Sequence, residues 1–170
     1  MRLKEFDSAI SFAEHMLKIE FAMRAVMHKS LGHVLTLLEE DMQKQIGEYQ
    51  SGAGPYPAWA TLADSTEEEK GRLGYPLNAP LLRDGELQKS FQHEQEGMEG
   101  VVGSTDPVMV YHEFGTAKMP PRPVVGPALY RNRDKIEHLL GHAMVEAIIG
   151  GTLAAGSSEA AKYLGEDIKP

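Results

Sequence analysis

A chain of 170 residues with 42% hydrophobic content is about one domain long and can build a core without staples. It contains no cysteine, which excludes a disulfide scaffold, thiolate-held zinc, iron–sulfur clusters and thiol catalysis. Seventeen basic against 25 acidic residues give a net charge of −8, the wrong sign for a free-standing binder of duplex DNA or anionic membrane. No uncharged run is long enough to span a bilayer and the first residues lack a signal-peptide core, so a soluble, cytoplasm-made protein is expected.

Proline placement divides the chain. Nine of the ten prolines lie between Pro55 and Pro127, and proline breaks helix interiors. The pattern predicts helix, then a turn-rich middle, then helix. The first helix starts at the capping residues Asp7 or Ser8. Apolar residues then recur in steps of three or four: Phe12, Met16, Ile19, Met23, Met27, Leu31, Val34, Leu38, Met42 and Ile46. Gly47 is the expected stop. At 1.5 Å per residue the stripe is roughly 50 Å long, more than one small domain covers, so part of it is expected against another chain, with Met16 and Met23 as subunit contacts. Two helices folded back at Gly32 are the alternative.

In the middle, Thr66-Glu-Glu-Glu-Lys70 predicts a turn of helix, and Gly71 to Pro80 reads as irregular. Leu81 to Leu87 reads as a short turn capped by Asp84. Residues 89–94 and 98–103 flank Glu96-Gly97 with the spacing of a hairpin. Asp106-Pro107 opens a short helix to Phe114 that ends at Gly115, with Val108, Tyr111 and Phe114 on its buried side. Gly126-Pro127 opens the last helix, running to about Gly150. Its core face is Leu129, Ile136, Leu140, Ala143 and Ala147, with Arg131, Asp134, His138 and His142 opposite. The expected organisation is a single domain over 1–150: a helical segment (1–47), a loop and sheet region (48–126), and a C-terminal helix (127–150). Residues 151–170 read as a flexible tail with a short helix around Glu159 to Leu164.

No catalytic, cofactor-binding or metal-ligating residue stands out. His138 and His142 have the i, i+4 spacing that can share a metal, but Leu139-Leu140-Gly141 between them carries no carboxylate, and they read as surface residues. His112-Glu113 invites an acid–base reading, yet neighbours on a helix do not face one another, so the pair reads as a polar anchor at a helix end. Gly97, Gly100 and Gly103 lack the lysine of a phosphate loop and fit a hairpin better. Arg122 lies in the rigid Pro120-Pro-Arg-Pro123, where a structural ion pair is expected ahead of a phosphate or carboxylate ligand.

Taken together, Trp59-x-x-Leu62, Thr66-x-x-x-Lys70, Pro80-Leu-Leu-Arg-Asp-Gly-Glu-Leu-Gln-Lys-Ser90, Val102-Gly-Ser104, Tyr111-His-Glu-Phe-Gly-Thr116 and Pro120-Pro-Arg-Pro-x-x-Gly-Pro-Ala-Leu129 resemble the tailed-bacteriophage virion-morphogenesis family. These are small neck or tail-completion proteins that join the DNA-filled head to the tail. The two hallmark pieces are Leu82, Arg83, Gly85, Leu87 and Ser90, and then His112, Glu113, Phe114, Gly115 and Thr116 with Pro121, Arg122 and Pro123. Asp84 stands where threonine is commoner, and Val124-Val125 where an aromatic-leucine pair is usual. The resemblance covers about residues 59–130. It implies an α+β fold: a long N-terminal helix, and a small antiparallel sheet with the C-terminal helix packed on it. It also implies no enzyme activity and no cofactor or metal. The implied partners are other copies of the chain in a ring, the connector or neck, and tail-tube or tail-terminator proteins. Genome DNA would pass through without sequence-specific binding, and no membrane is involved. The implied location is the head–tail junction of a virion assembled in the host bacterial cytoplasm. Two other readings stay open: a non-viral adaptor or DNA-end-binding module, and a metal-dependent hydrolase built on His112, Glu113, His138 and His142.

Overall fold

The computed structural model describes residues 6–154. The chain is α+β. Its elements in order are helix α1 (Ala9–Gln45), helix α2 (Asp64–Leu73), helix α3 (Glu86–Lys89), strand β1 (Phe91–Glu96), strand β2 (Glu99–Ser104), helix α4 (Val108–Phe114) and helix α5 (Val125–Ala154). Helix α5 runs on through 151–154, the first residues of the stretch expected to be a flexible tail, and the rest of that stretch, with the short helix expected around Glu159 to Leu164, lies outside the described residues. Two compact units divide the chain inside both long helices, not at a linker: Gly32–Ile136 forms one, and the two outer helix portions form the other.

Helix α1 runs for 37 residues without a break at Gly32, so the folded-back alternative is not adopted. Thr36 Oγ1 donates to the Gly32 carbonyl at 3.0 Å, within the same turn of helix. Gly47, at φ +95°, ends the helix as expected, and its N–H donates to the Pro80 carbonyl at 2.8 Å.

The core of the central unit forms on the last turns of α1. Val34, Leu35, Leu38, Met42 and Ile46 are all buried, together with Phe91, Met109, Val124 and Ala128. Strands β1 and β2 pair antiparallel, Phe91 opposite Ser104 and Glu96 opposite Glu99. The connecting turn is therefore Gly97-Met98, one residue later than Glu96-Gly97, with Gly97 at φ +58°. Along β1 burial alternates, with Phe91, His93 and Gln95 on the inner face. The hairpin lies directly on α1. A Cβ at Gly100 would come within 2.6 Å of the Leu35 side chain, and Gln43 Nε2 donates to the Phe91 carbonyl at 3.2 Å.

Helix α2 extends through Gly71 to Leu73, into the stretch expected to be irregular, and stops at Gly74 in the left-handed conformation. Its first turn carries Asp64 and Glu67 and its last turn Lys70 and Arg72, the arrangement the helix dipole favours.

Helix α5 packs on α1 near the sheet. In the central unit Gln45 Nε2 donates to the Val124 carbonyl at 3.1 Å, and Arg131 pairs with Asp41 at 3.0 Å. The face of α5 differs from expectation at its start. Leu129 is exposed, while Ala128 and the polar Asn132 are buried. The loop before α2 comes close to the start of the helix, where a Cβ at Gly126 would sit 2.4 Å from the Tyr56 ring. Asn132 is satisfied within the helix, Nδ2 donating to the Ala128 carbonyl at 2.9 Å. Further along, in the outer unit, Ala143 and Ala147 are buried as expected.

Candidate functional site

The two hallmark segments, about 30 residues apart in sequence, meet around one cleft of about 730 Å³ in the central unit. Leu82, Arg83 and Leu87 line it from one segment, and His112, Pro120 and Arg122 from the other. Four of its charged residues, Lys70, Asp84, Asp106 and Arg122, are spent on backbone groups.

Glu113 holds the start of α5. Its Oε2 accepts the Val124 and Val125 N–H groups at 2.7 and 3.1 Å, and its Oε1 accepts the Gly126 N–H at 3.1 Å. The first amides of a helix have no partner inside it, and a carboxylate there is also favoured by the helix dipole. Glu113 is therefore the anchor the sequence suggests. Its carboxylate is committed, and a general-base role would mean releasing α5.

Arg122 is buried but does not form the expected ion pair. Its Nη2 donates to the carbonyls of Ala60 and Thr61 at 3.1 and 3.2 Å, its Nε has no partner, and its own N–H donates to the His112 carbonyl at 2.7 Å. The rigid prolines on either side aim the guanidinium at backbone oxygens just before α2. Lys70, also buried, does the same from α2, donating from Nζ to the Ala79 carbonyl at 2.5 Å. Burial lowers its pKa below the usual lysine value. Nothing in the sequence flags Lys70 as buried, because lysine almost never is.

His112 faces the cleft with Nδ1 buried and unpartnered. Burial, and then the positive charge of Arg122, push its pKa below the ordinary histidine value. The folded state therefore binds fewer protons here than the unfolded state below about pH 6.5. The contribution of neutral His112 is complete above that pH and is lost as pH falls through it toward the lower folded-state pKa. His112→Gln should flatten the acid limb of a stability-versus-pH curve; an unchanged limb would mean that His112 is not the group being charged.

The helix that carries these residues is turned differently from expectation. Val108, Tyr111 and Phe114 are exposed, Phe114 at 79%, while Met109 is buried with His112 and Glu113 half-buried beside it. Both triplets have helical spacing, and the Glu113 cap decides between them by fixing the rotation of α4.

The remaining hallmark residues are structural. Asp84 Oδ1 accepts the Glu86 N–H at 3.0 Å and so caps α3 from one residue before the Gly85 N-cap, which is at φ +89°. Arg83 lies 3.9 Å from Glu69 and over the Tyr75 ring. Ser90 Oγ meets Ser104 Oγ at 2.7 Å and closes the hairpin. Leu82 packs beneath Gly47. Gly115 at φ +74° leaves no room for a Cβ, which would lie 2.9 Å from Pro121 N. Thr116 and Met119 bridge the next turn, and the buried Pro123 accepts the Trp59 indole N–H at 3.1 Å.

In the outer unit His138 and His142 are exposed with ring centroids 5.7 Å apart, and His142 Nδ1 lies 3.2 Å from Glu146. Among the described residues no group of three or more His, Asp or Glu is placed to hold a metal. Met16 is exposed and Met23 half-buried. No described helix is long and apolar enough to cross a membrane. Comparisons with protein-family models, with curated proteins and with solved structures give no match.

Proposed function

We propose that this chain is a structural component of a tailed-phage virion, a neck or tail-completion protein that joins the connector of the filled head to the tail. It works as copies in a ring, contacts neck and tail-tube or tail-terminator proteins, and lets the genome pass without reading its sequence. It is assembled in the host cytoplasm and is not an enzyme. The observation that carries this reading is the use of the two hallmark segments. Their charged residues Glu113 and Arg122 are spent on backbone groups, the amides that open α5 and the carbonyls of Ala60 and Thr61, as residues that build a scaffold would be. A second support is α1, whose first turns leave Phe12 and Met16 half exposed, as a helix awaiting a partner would.

The test is to locate the chain in particles. Immunogold labelling of virions from the phage that encodes it should mark the head–tail junction, and the Met16→Asp, Met23→Asp double variant should stay helical yet accumulate filled heads beside separate tails. A chain absent from purified particles, or normal infectivity without it, overturns the proposal. Binding of duplex DNA that weakens steeply with salt would favour the DNA-end-binding alternative instead.

A further inference from the structure

The outer portion of α1 has a second apolar line. At about 100° per residue, Ile10, Glu14, Leu17, Phe21, Arg24 and His28 fall within roughly 40° of a single line along the helix. His15, Ile19, Ala22, Val26 and Ser30, all buried or half-buried, lie on the opposite side. Met16 and Met23 are not on this line. Ile10, Leu17 and Phe21 are 73%, 65% and 77% exposed. Three large apolar residues on the side of a helix turned away from its own unit need a cover.

The spacing along the line is four, three, four, three, four, the alternation of a coiled-coil seam. Its order says what covers it. Set the helix antiparallel to a copy of itself so that the numbers of facing residues sum to 38. Leu17 then faces Phe21 of the copy, Glu14 faces Arg24, and Ile10 faces the ring of His28. By symmetry each layer occurs twice. Apolar residues meet apolar residues at the centre, and a carboxylate meets a guanidinium one layer out on each side. A parallel pairing would instead place Glu14 on Glu14 and Arg24 on Arg24. The pattern is self-complementary in one direction only, the property of an isologous two-fold contact. Arg24 holds Glu20 of its own helix at 2.9 Å on the exposed surface, a pair of little strength that leaves the guanidinium able to reach across.

We infer that the first turns of α1 pair antiparallel with those of a second copy, forming a two-fold dimer with Leu17 and Phe21 at its centre. This goes beyond the virion reading and does not depend on it, because the contact is a property of the isolated chain. A dimer of this kind differs from the head-to-tail contacts of a ring. Its effect is to cover the apolar line of each copy with that of the other.

The test uses the full-length chain in sedimentation equilibrium. The wild type should dimerise reversibly with rising concentration. Glu14→Arg alone, or Arg24→Glu alone, sets like charges facing in two layers and should weaken association at least about tenfold. The double variant should restore it. Circular dichroism checks that each variant keeps its helix. Direction is read by cross-linking, which is unambiguous because the chain has no cysteine of its own. Leu17→Cys mixed with Phe21→Cys should form the mixed disulfide faster than either forms its own. A wild type that stays monomeric at high micromolar concentration, as it would if another segment of the chain covered the line, overturns the inference. So does a double variant no better than the singles, or cross-linking of each cysteine only with itself.

Discussion

Glu113→Ala is expected to destabilise the chain by about 3–5 kcal/mol, since it strips three charge-assisted hydrogen bonds, each worth about 1.5–3 kcal/mol, from amides that have no helical partner. Water reaches part of this half-buried site, which is why the expected loss lies well below three full bonds. Glu113→Gln keeps the shape but replaces one acceptor oxygen with a donor that faces other donors, so it should recover only part of the loss. Chemical denaturation of the three proteins reads this directly. A Glu113→Ala variant within about 1 kcal/mol of wild type would mean that α5 starts without its cap.

The second large effect contrasts two phenylalanines. Phe91 is completely buried where β1 meets α1, and Phe91→Ala should cost about 3–5 kcal/mol and leave little folded protein. Phe114 belongs to a hallmark segment but is 79% exposed, and Phe114→Ala should fall within about 0.5 kcal/mol of wild type. If Phe114→Ala keeps its melting temperature yet fails in assembly, the ring belongs to a partner contact. The reverse order of stabilities would mean that α4 is turned the other way.

The long-range plan is legible in the sequence because it rests on period and punctuation. Ten apolar residues in steps of three and four mark α1, and two glycine-marked extended runs mark the hairpin. Where the inward face has to be chosen, spacing is not enough. Met109, His112 and Glu113 compete with Val108, Tyr111 and Phe114 on equal helical terms, and hydrophobicity alone favours the wrong set. A polar residue wins because its carboxylate meets three amides at the start of α5, a contact between segments that no local pattern encodes. Leu129 likewise loses its place to Ala128, which is fully buried although its side chain is the smaller. The prolines mark Arg122 as held in a fixed direction, but its acceptors, the carbonyls of Ala60 and Thr61, have no signature in sequence. Lys70 stands in a motif with no sign that it is buried.

Three charged residues of the central unit grip anonymous atoms, and this has an evolutionary consequence. Arg122 holds the oxygens of residues 60 and 61, Lys70 the oxygen of residue 79, and Glu113 the amides of residues 124 to 126. Any amino acid supplies a carbonyl, and any except proline supplies an amide. These bonds therefore constrain the clamping side chains, and at the clamped positions they forbid only proline at 124, 125 and 126; what else limits Val124 and Gly126 is their packing, not these bonds. Pairwise covariation across related sequences would be blind to these tethers, because one end of each has no alternative to mutate into.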